Sequence, residues 1–403
     1  MNRYVWLATA VLGLGIVIGT GGPEALRANS IYSRNGIGLN PYTTSMQAVG
    51  MGGAGIASLS GATLHYLNPA SLSVFKITRF DGSAVLENTQ IRIAGKQGRF
   101  ANTNFNSFQV AIPVKEGYGI GLGLIPYSQT AYELAGEIST ERFLAVQTLK
   151  GKGTLSRAFL AFGGSLGGRL VFGAALDVYV GRIERTWRLN FQTAGYENTR
   201  DMISTYLRGA GGRFGAVFQV SRLINVGAVV FLPAALKYTT NVSFVFGESR
   251  DIEEGTVRLP LGHGYGVTLY PSEKWHIAAD VFLQSWGDIR PEEMFGARTV
   301  NTMTVAFGVE YTPSPNQAEG IFRRMSYRVG ARISKLPYTD ERGEEVQEQV
   351  VTAGFTLPYY FYRSKIDVGV EYGRRGSLAR NVAEETILRV VIGVTSGEKW
   401  FSR

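Results

Sequence analysis

Two short motifs in this sequence match patterns that carry chemistry in other proteins. Residues 50–55 (GMGGAG) have the glycine spacing of a dinucleotide-binding turn, but that turn needs a preceding strand and a following helix, and neither pattern flanks it. Residues 163–167 (GGSLG) have the spacing of a hydrolase nucleophile elbow around Ser165. They fall at a predicted turn between two strands, and the sequence holds only 3 histidines that could serve as a base. An esterase is therefore the minor alternative, and we predict that the protein is not an enzyme.

Charged residues are the second group that could take part in chemistry or ligand binding. Arg324, Arg328 and Arg332 recur every four residues, which places them on one face of a strand. The other charges that we assign to the same inward surface are Glu310, Asp280, Asp367, Glu371 and Arg389. Two interpretations stay open: the charges neutralise one another and clamp a neighbouring segment, or one arginine binds a ligand carboxylate, which its planar fork matches. The sequence does not single out that arginine.

Alternation of large apolar residues with small or polar ones is the main structural signal. It runs through residues 171–181, 275–285, 303–311 and 325–333. Strands of about ten residues with one apolar and one polar face are typical of transmembrane β-barrels. A soluble β-sandwich would alternate too, but here the second face holds many glycines and alanines, and short and long connections alternate along the chain. Both features favour an all-β fold, a transmembrane antiparallel β-barrel.

The pattern predicts about fourteen strands, an even number that places both ends of the barrel on one side of the membrane. The predicted strands are residues 76–95, 104–114, 117–133, 143–166, 169–190, 200–220, 223–246, 252–270, 274–287, 298–312, 322–336, 347–358, 364–374 and 385–396. We assign residues 76–403 to this barrel. Residues 1–28 have the charged start and apolar core of a secretory signal peptide.

Composition limits the possible functions. The 403 residues carry a formal net charge of +9 and no cysteine, so disulfides and thiolate metal ligands are excluded. No long basic run with interleaved aromatic residues occurs, and we expect no nucleic-acid partner. No segment after the signal peptide reaches the ~18 apolar residues of a membrane helix. We expect no cofactor and no metal site.

Residues 29–75 are predicted to form a plug inside the barrel. From residue 35 to residue 75 the chain has no Asp, Glu, Lys or Arg. Small and polar residues dominate, and the few large apolar residues cannot bury enough surface for this stretch to fold alone. Such a segment must be enclosed by another part of the chain, and we expect the barrel to enclose it.

The same stretch carries a family resemblance. Residues 51–57 (MGGAGIA) and residues 67–73 (LNPASLS) resemble the start of the FadL-type outer-membrane transporters. The resemblance implies a 14-stranded barrel with an N-terminal hatch that contains an Asn-Pro-Ala motif, here Asn68, Pro69 and Ala70. It also implies uptake of long-chain fatty acids or other hydrophobic compounds.

The third predicted strand has an unusual inward face. Gly119, Gly121 and Gly123 leave it without side chains, and Pro126 cannot donate a ladder hydrogen bond. The glycines could simply make room for the plug. In FadL-type proteins, however, the third strand is kinked inward beside a gap in the wall, and the resemblance implies that residues 119–127 border a lateral exit.

These observations predict an outer-membrane channel for passive uptake of hydrophobic small molecules. Its expected partners are a fatty-acid-like ligand and outer-membrane lipid, and the expected state is a monomer. Residues 367–381 and 399–401 resemble the last hairpin of the same family. The alternative is a related barrel that transports nothing and binds a secretion or surface-attachment protein. Ligand retained by the purified barrel would favour the channel, whereas a stoichiometric protein partner with an empty lumen would favour the scaffold.

Overall fold

The structure, a computed structural model, describes residues 27–28, 30–42, 45–61, 63–93, 95–245, 250–314, 316, 318–359 and 364–398. Most of the predicted signal peptide and residues 399–401 lie outside the described residues.

One antiparallel sheet dominates the fold and closes on itself. Its fourteen strands are β1 (Thr78–Ile93), β2 (Lys96–Lys115), β3 (Tyr118–Ser139), β4 (Leu144–Leu166), β5 (Leu170–Phe191), β6 (Thr199–Gln219), β7 (Ile224–Phe231 and Ala234–Ser243), β8 (Arg250–Leu259 and Gly262–Ser272), β9 (Trp275–Gln284), β10 (Thr302–Tyr311), β11 (Ser326–Thr339), β12 (Glu345–Tyr359), β13 (Ser364–Arg375) and β14 (Ala383–Glu398). The predicted all-β, fourteen-stranded barrel is confirmed.

The barrel closes between its last and first strands. β14 pairs with β1 along a continuous antiparallel register from Ala383 opposite Ile93 to Glu398 opposite Thr78. β7 and β8 are each broken at a proline, Pro233 and Pro260, because proline has no N–H to donate to the ladder. Both pieces of β7 still pair with β6, and both pieces of β8 pair with β7, so the wall remains closed there.

Strand lengths make the barrel higher on one side than on the other. β3 to β6 have 21 to 23 residues, whereas β9 and β10 have 10 each. The turns at residues 116–117 and 273–274 mark what we call the short-turn end, and the connection at residues 285–301 marks the opposite, long-loop end. β10 starts at Thr302 rather than at residue 298, because two 3-10 helices occupy that connection.

The outward face of the wall is apolar. Leu176 and Val180 on β5 are each 58% exposed and Val329 on β11 is 61% exposed, while Asp177 and Tyr179 between the first two are buried. A continuous exposed belt of large apolar residues requires an apolar environment. No helix in the described part of the chain is long and apolar enough to cross a membrane.

Candidate functional site

Most of the described residues between 30 and 75 are buried and pack against inward-facing residues of the wall, and we call this segment the plug. It contains three short 3-10 helices, Ile31–Arg34, Gln47–Met51 and Pro69–Val74. Its backbone touches the wall where the wall has glycine. A Cβ atom added to Gly308 or Gly330 would lie 2.4 Å from plug atoms. Glycines on the inner face are therefore needed for the plug to fit.

Asn68, Pro69 and Ala70 begin the third helix of the plug. The Asn68 side chain accepts a hydrogen bond from the Ala70 N–H at 3.1 Å and donates one to the Ile56 carbonyl at 2.8 Å. A Cβ at Gly173 of β5 would lie 2.4 Å from the Pro69 carbonyl carbon. One buried amide thus caps the helix and ties it to the preceding loop, directly against the wall.

Two inward-facing charges hold the middle of the plug. Asp280 of β9 accepts the N–H groups of Gly55 and Ile56 at 2.7 and 3.0 Å. Arg332 of β11 donates to the carbonyl oxygens of Tyr42 and Gly52 at 3.1 and 3.3 Å. Hydrogen bonds to ionised groups are about twice as strong as neutral ones. The glycines of residues 50–55 therefore take part in plug seating, without the flanking strand and helix that a dinucleotide site requires.

The remaining inward charges form a network of buried ion pairs. Its ion pairs include Arg328 to Glu310 (2.5 Å) and Asp367 (3.6 Å), Arg332 to Glu371 (3.1 Å) and Glu348 (3.3 Å), Arg375 to Glu385 (2.7 Å) and to Glu348, and Arg389 to Glu87 (3.0 Å), Glu371 (3.1 Å) and Glu348 (3.3 Å). Every arginine of this network has a carboxylate partner, which supports the neutralising interpretation. Arg324 is different: it ends a one-turn helix, Ile321–Arg324, before β11 starts at Ser326, and so it is not on the inward strand face that we predicted.

The glycines of β3 accommodate side chains and plug backbone. A Cβ at Gly119 would lie 2.4 Å from the Leu72 carbonyl oxygen, and one at Gly121 would lie 2.8 Å from the Leu72 side chain. A Cβ at Gly123 would lie 2.7 Å from the Phe159 ring. All three glycines pair with β2 in an intact ladder. They therefore lie on the short-turn side of the point where that ladder ends.

The wall has a gap between β2 and β3. Their ladder ends at Phe108 opposite Leu124, and among the described residues no β2 partner pairs with Ile125, Pro126 or the rest of β3. On its other side β3 stays paired with β4 through Pro126, followed by a bulge. The gap therefore extends from Pro126 towards the long-loop end.

The first residues of the plug and the two described residues before them lie along the free edge of β3, and we call the described residues from 27 to 39 the edge segment. Arg27 and Ala28 pair with Glu133 and Tyr132. Leu39 and Gln129 exchange both backbone hydrogen bonds, each 2.9 Å long. The edge segment thus satisfies backbone groups of β3 that β2 leaves open.

A cavity of about 180 Å³ lies between the plug and the long-loop end. Its apolar end, which we call the aromatic end, is lined by Tyr42, Ile125, Tyr127, Tyr179, Phe231 and Phe282. Its other end is lined by the ion-pair network. Pro126, Gln129 and Asn106 also line the cavity, so it reaches the gap between β2 and β3. Trp286 and Met294 of the 285–301 connection are buried and pack in the same apolar cluster as Tyr127, which covers the cavity on the long-loop side.

Arg157 of β4 lies at the aromatic end. It is 4% exposed, and its guanidinium carbon is 5.2 Å from the centre of the Phe231 ring. In the described part of the chain no carboxylate lies within ion-pair distance of it, and its Nε has no hydrogen-bond partner. Neighbouring Arg213 is compensated by Asp177 at 3.4 Å. Sequence reasoning missed Arg157, although its signal is present: a lone arginine between inward-facing Leu155 and Phe159.

Ser165 of the hydrolase-like motif and His65, one of the three histidines, lie in different surroundings. Ser165 lies in β4 next to a short turn that leads into another strand, not on a strand-to-helix elbow. His65 is buried in the plug, and neither of its ring nitrogens has a hydrogen-bond partner among the described residues. Burial lowers the pKa of His65 to about 3, so it is neutral at physiological pH.

Comparisons with known proteins agree on the fold. The BamG family model matches residues 16–403. No curated protein matches the sequence. Among solved structures the barrel is similar to the CymD monoaromatic hydrocarbon channel (14% identity, TM-score 0.59, covering 89% of this chain and 99% of that one) and to the Ralstonia pickettii toluene transporter TbuX (14%, 0.60, 89% and 99%). It is also similar to a Pseudomonas aeruginosa FadL homologue (11%, 0.63, 90% and 99%).

Proposed function

The chain belongs to the BamG family and has the fold of FadL-type barrels, and from this premise we propose that it is an outer-membrane channel for passive uptake of hydrophobic small molecules. The short-turn end then faces the periplasm and the long-loop end faces the outside. Solved structures of this fold include a monoaromatic hydrocarbon channel and a toluene transporter, which supports a hydrophobic solute. The exposed apolar belt supports the membrane location.

The observation that carries the proposal is the lumen cavity with its aromatic end and Arg157, which has no carboxylate partner among the described residues. A mostly apolar pocket with a few well-placed polar groups is the usual form of a small-molecule site, and the aromatic end with Arg157 has this form. An engineered protein cavity of about 150 Å³ binds benzene, so a cavity of about 180 Å³ accepts one aromatic ring or a short chain. We infer that the ligand has an apolar body and one anionic group. A long-chain fatty acid would have to extend beyond the cavity, through the gap in the wall.

The release route that we propose runs sideways between β2 and β3. The cavity reaches this gap at Pro126 and Gln129, and the edge segment lies along it. An apolar molecule loses about 0.8 kcal/mol for each CH₂ group that it exposes to water, so a path into the bilayer is favoured over an aqueous one. Movement of the edge segment would open the path, while Asn68 to Ala70 keep the plug seated.

Binding to the purified barrel tests the proposal. Titration with an aromatic carboxylate, its methyl ester and a neutral sugar should give saturable binding of the carboxylate, weaker binding of the ester and none of the sugar. Proteoliposomes should then take up the carboxylate faster than liposomes without protein. Absence of binding by both apolar compounds would rule out uptake through this cavity.

A second candidate is a barrel that binds a protein at its long-loop end. Phe143, Phe191 and Tyr196 form an aromatic cluster on two neighbouring loop tips, with ring centres 5.1 to 5.5 Å apart, and Tyr196 is exposed. Exposed aromatic residues are enriched at protein interfaces. Under this function, Tyr196→Ser should abolish co-purification of a stoichiometric protein and leave ligand binding intact.

A further inference from the structure

A row of basic residues follows the edge of the apolar belt on the outer surface of five adjacent strands. On each strand we follow the outward-facing residues from the short-turn end to the long-loop end. The first Lys, Arg, Asp or Glu is then Lys152 on β4, Arg182 on β5, Arg208 on β6, Lys237 on β7 and Arg258 on β8. Before it, each strand has about ten to fourteen residues, the length that crosses a bilayer. The row therefore lies at the level of the lipid headgroups.

Strand register makes this row a continuous patch. Arg208 and Lys237 are direct cross-strand partners. Arg182 is opposite Tyr206, two residues from Arg208, and Arg258 is opposite Ala235, two residues from Lys237. Direct partners have Cβ atoms about 5 Å apart and diagonal partners about 7–8 Å apart. Each cation thus lies within reach of the next.

The two central cations have no ion-pair partner among the described residues, although exposed Glu254 of β8 is a diagonal neighbour of Lys237. Lys152 and Arg182 share Glu184 at 2.9 and 2.5 Å, and Arg258 contacts Glu293 at 3.2 Å. Arg208 and Lys237 are exposed, and among the described residues neither has a carboxylate within ion-pair distance. Like charges directly opposite in a sheet destabilise it, so the pair favours an anion from outside the chain.

We propose that Arg208 and Lys237 bind the phosphate of an outer-leaflet lipid headgroup, with Arg182 and Arg258 flanking it. A guanidinium and an ammonium group are the two side chains that proteins use for phosphate. Tyr206 lies on the same outward face, and the Arg182 guanidinium is 5.0 Å from its ring, as is typical of an aromatic residue at the membrane interface. The lipid tails would lie against the belt below, at Val180 and Leu232, which are exposed. The site rests on the membrane location in the proposed function but not on ligand uptake.

Native mass spectrometry of the full chain in neutral detergent tests the site. The probe lipids are phosphatidic acid, which carries a phosphate monoester, and phosphatidylcholine, which has no net charge. The natural chain should retain at least one phosphatidic acid molecule with a tenfold or greater preference. Lys237→Glu should reduce this retention about tenfold and also raise the melting temperature, because it gives Arg208 an ion-pair partner. Arg208→Gln should reduce retention without that gain in stability.

Arg374→Glu is the matched control, since Arg374 is an exposed outward residue on β13, opposite Gln349 and Thr386. It makes the same charge reversal away from the patch and should leave lipid retention unchanged. Equal loss in both charge reversals, or no loss in Lys237→Glu, would overturn the proposal. Binding of inorganic phosphate alone as tight as that of phosphatidic acid would also overturn the lipid assignment. Binding of the aromatic carboxylate, measured on the same samples, tests the proposed function separately. Failure of the lipid site and failure of the proposed function therefore give different results.

Discussion

Arg157 and the arginines of the ion-pair network differ in one respect that decides their roles. Arg328, Arg332 and Arg389 each have carboxylate partners on neighbouring strands, so their charge is already satisfied. Arg157 has only aromatic rings and other uncharged groups around its guanidinium, apart from the compensated Arg213. A buried charge without an opposite charge beside it is costly, and a ligand carboxylate would reduce that cost.

The first prediction concerns this side chain. Arg157→Gln should weaken binding of the aromatic carboxylate by roughly 10- to 100-fold, because a hydrogen bond to a charged group contributes about 1.5–3 kcal/mol. Binding of its methyl ester should change less than threefold, since the apolar contacts remain. Isothermal titration with both compounds measures the difference. Arg188→Gln, at an exposed outward position of β5, removes the same charge and should change neither affinity.

His65 gives a second prediction, on pH. The groups that face it are His276, Lys365 and Glu310. Burial lowers its pKa from 6.5 to about 3. The seated plug therefore requires neutral His65, and its stability is full above pH 6.5 and falls as the pH drops towards 3. Between pH 6.5 and pH 5 the loss is about 2 kcal/mol relative to a plug whose histidine is in water.

Hydrogen exchange of plug peptides at pH 7 and pH 5 measures this effect. In the natural chain the plug should exchange faster at pH 5, after correction for the intrinsic rate. His65→Leu should remove most of that difference, because leucine does not titrate and leaves no unpartnered nitrogen. An unchanged pH difference in this variant would assign the effect to other groups.

At the scale of elements, the edge segment takes the place of a missing ladder. β3 is paired with β2 only as far as Leu124, and further on its free edge bonds with the edge segment at Gln129 and Tyr132. The backbone pairing in this contact is short in comparison with the continuous ladders of the wall, and side-chain bonds supplement it, such as those from Ser30 and Ile31 to Glu385. A short backbone ladder opens at lower free energy than a continuous one, and the proposed lateral route requires the edge segment to move.

A reversible cross-link tests the role of the edge segment. Leu39 and Gln129 form a hydrogen-bonded antiparallel pair, whose Cα atoms lie about 5.5 Å apart and thus within disulfide range. Because the chain has no cysteine, a Leu39→Cys/Gln129→Cys variant has only this pair to oxidise. Oxidation should slow ligand release at least tenfold, and a reducing agent should restore it. Val351→Cys/Tyr372→Cys, in the intact ladder of β12 and β13, should show no redox effect. Release at the same rate in both redox states would exclude movement of the edge segment.

The elements also show what the sequence can and cannot predict. Alternation in β5, β9 and β10 predicts their faces, because a period of two follows directly from strand geometry. Pro126 indicates the gap between β2 and β3 in the sequence. The glycines of β3 do not border this gap; they leave room for Leu72 and Phe159. The edge segment was not predicted, because its pairing joins residues about a hundred positions apart and has no local pattern. Arg157 was missed for the same reason: its lack of a partner depends on which strands surround it.

At the scale of the whole molecule, the barrel and the plug depend on different interactions. The wall is closed by the ladder between β14 and β1, in which no plug residue takes part. The plug is held by side chains of the wall such as Asp280 and Arg332, and by glycines that allow close contact. It follows that the wall, with the edge segment along β3, can form without residues 40–75, whereas these residues cannot fold without the wall.

The last prediction follows from this asymmetry. A chain in which a flexible Gly/Ser linker replaces residues 40–75, so that the edge segment stays, should still form the barrel, seen as an unchanged β-sheet circular dichroism spectrum and a heat-dependent shift in gel mobility. Its lumen should be open to water, because the wall is closed independently while the charges that now contact the plug would line a polar pore. Proteoliposomes with this variant should swell in a disaccharide solution several times faster than those with the intact chain, and the variant should no longer retain the aromatic carboxylate. Swelling equal to that of the intact chain would mean that the wall itself, and not the plug, closes the lumen.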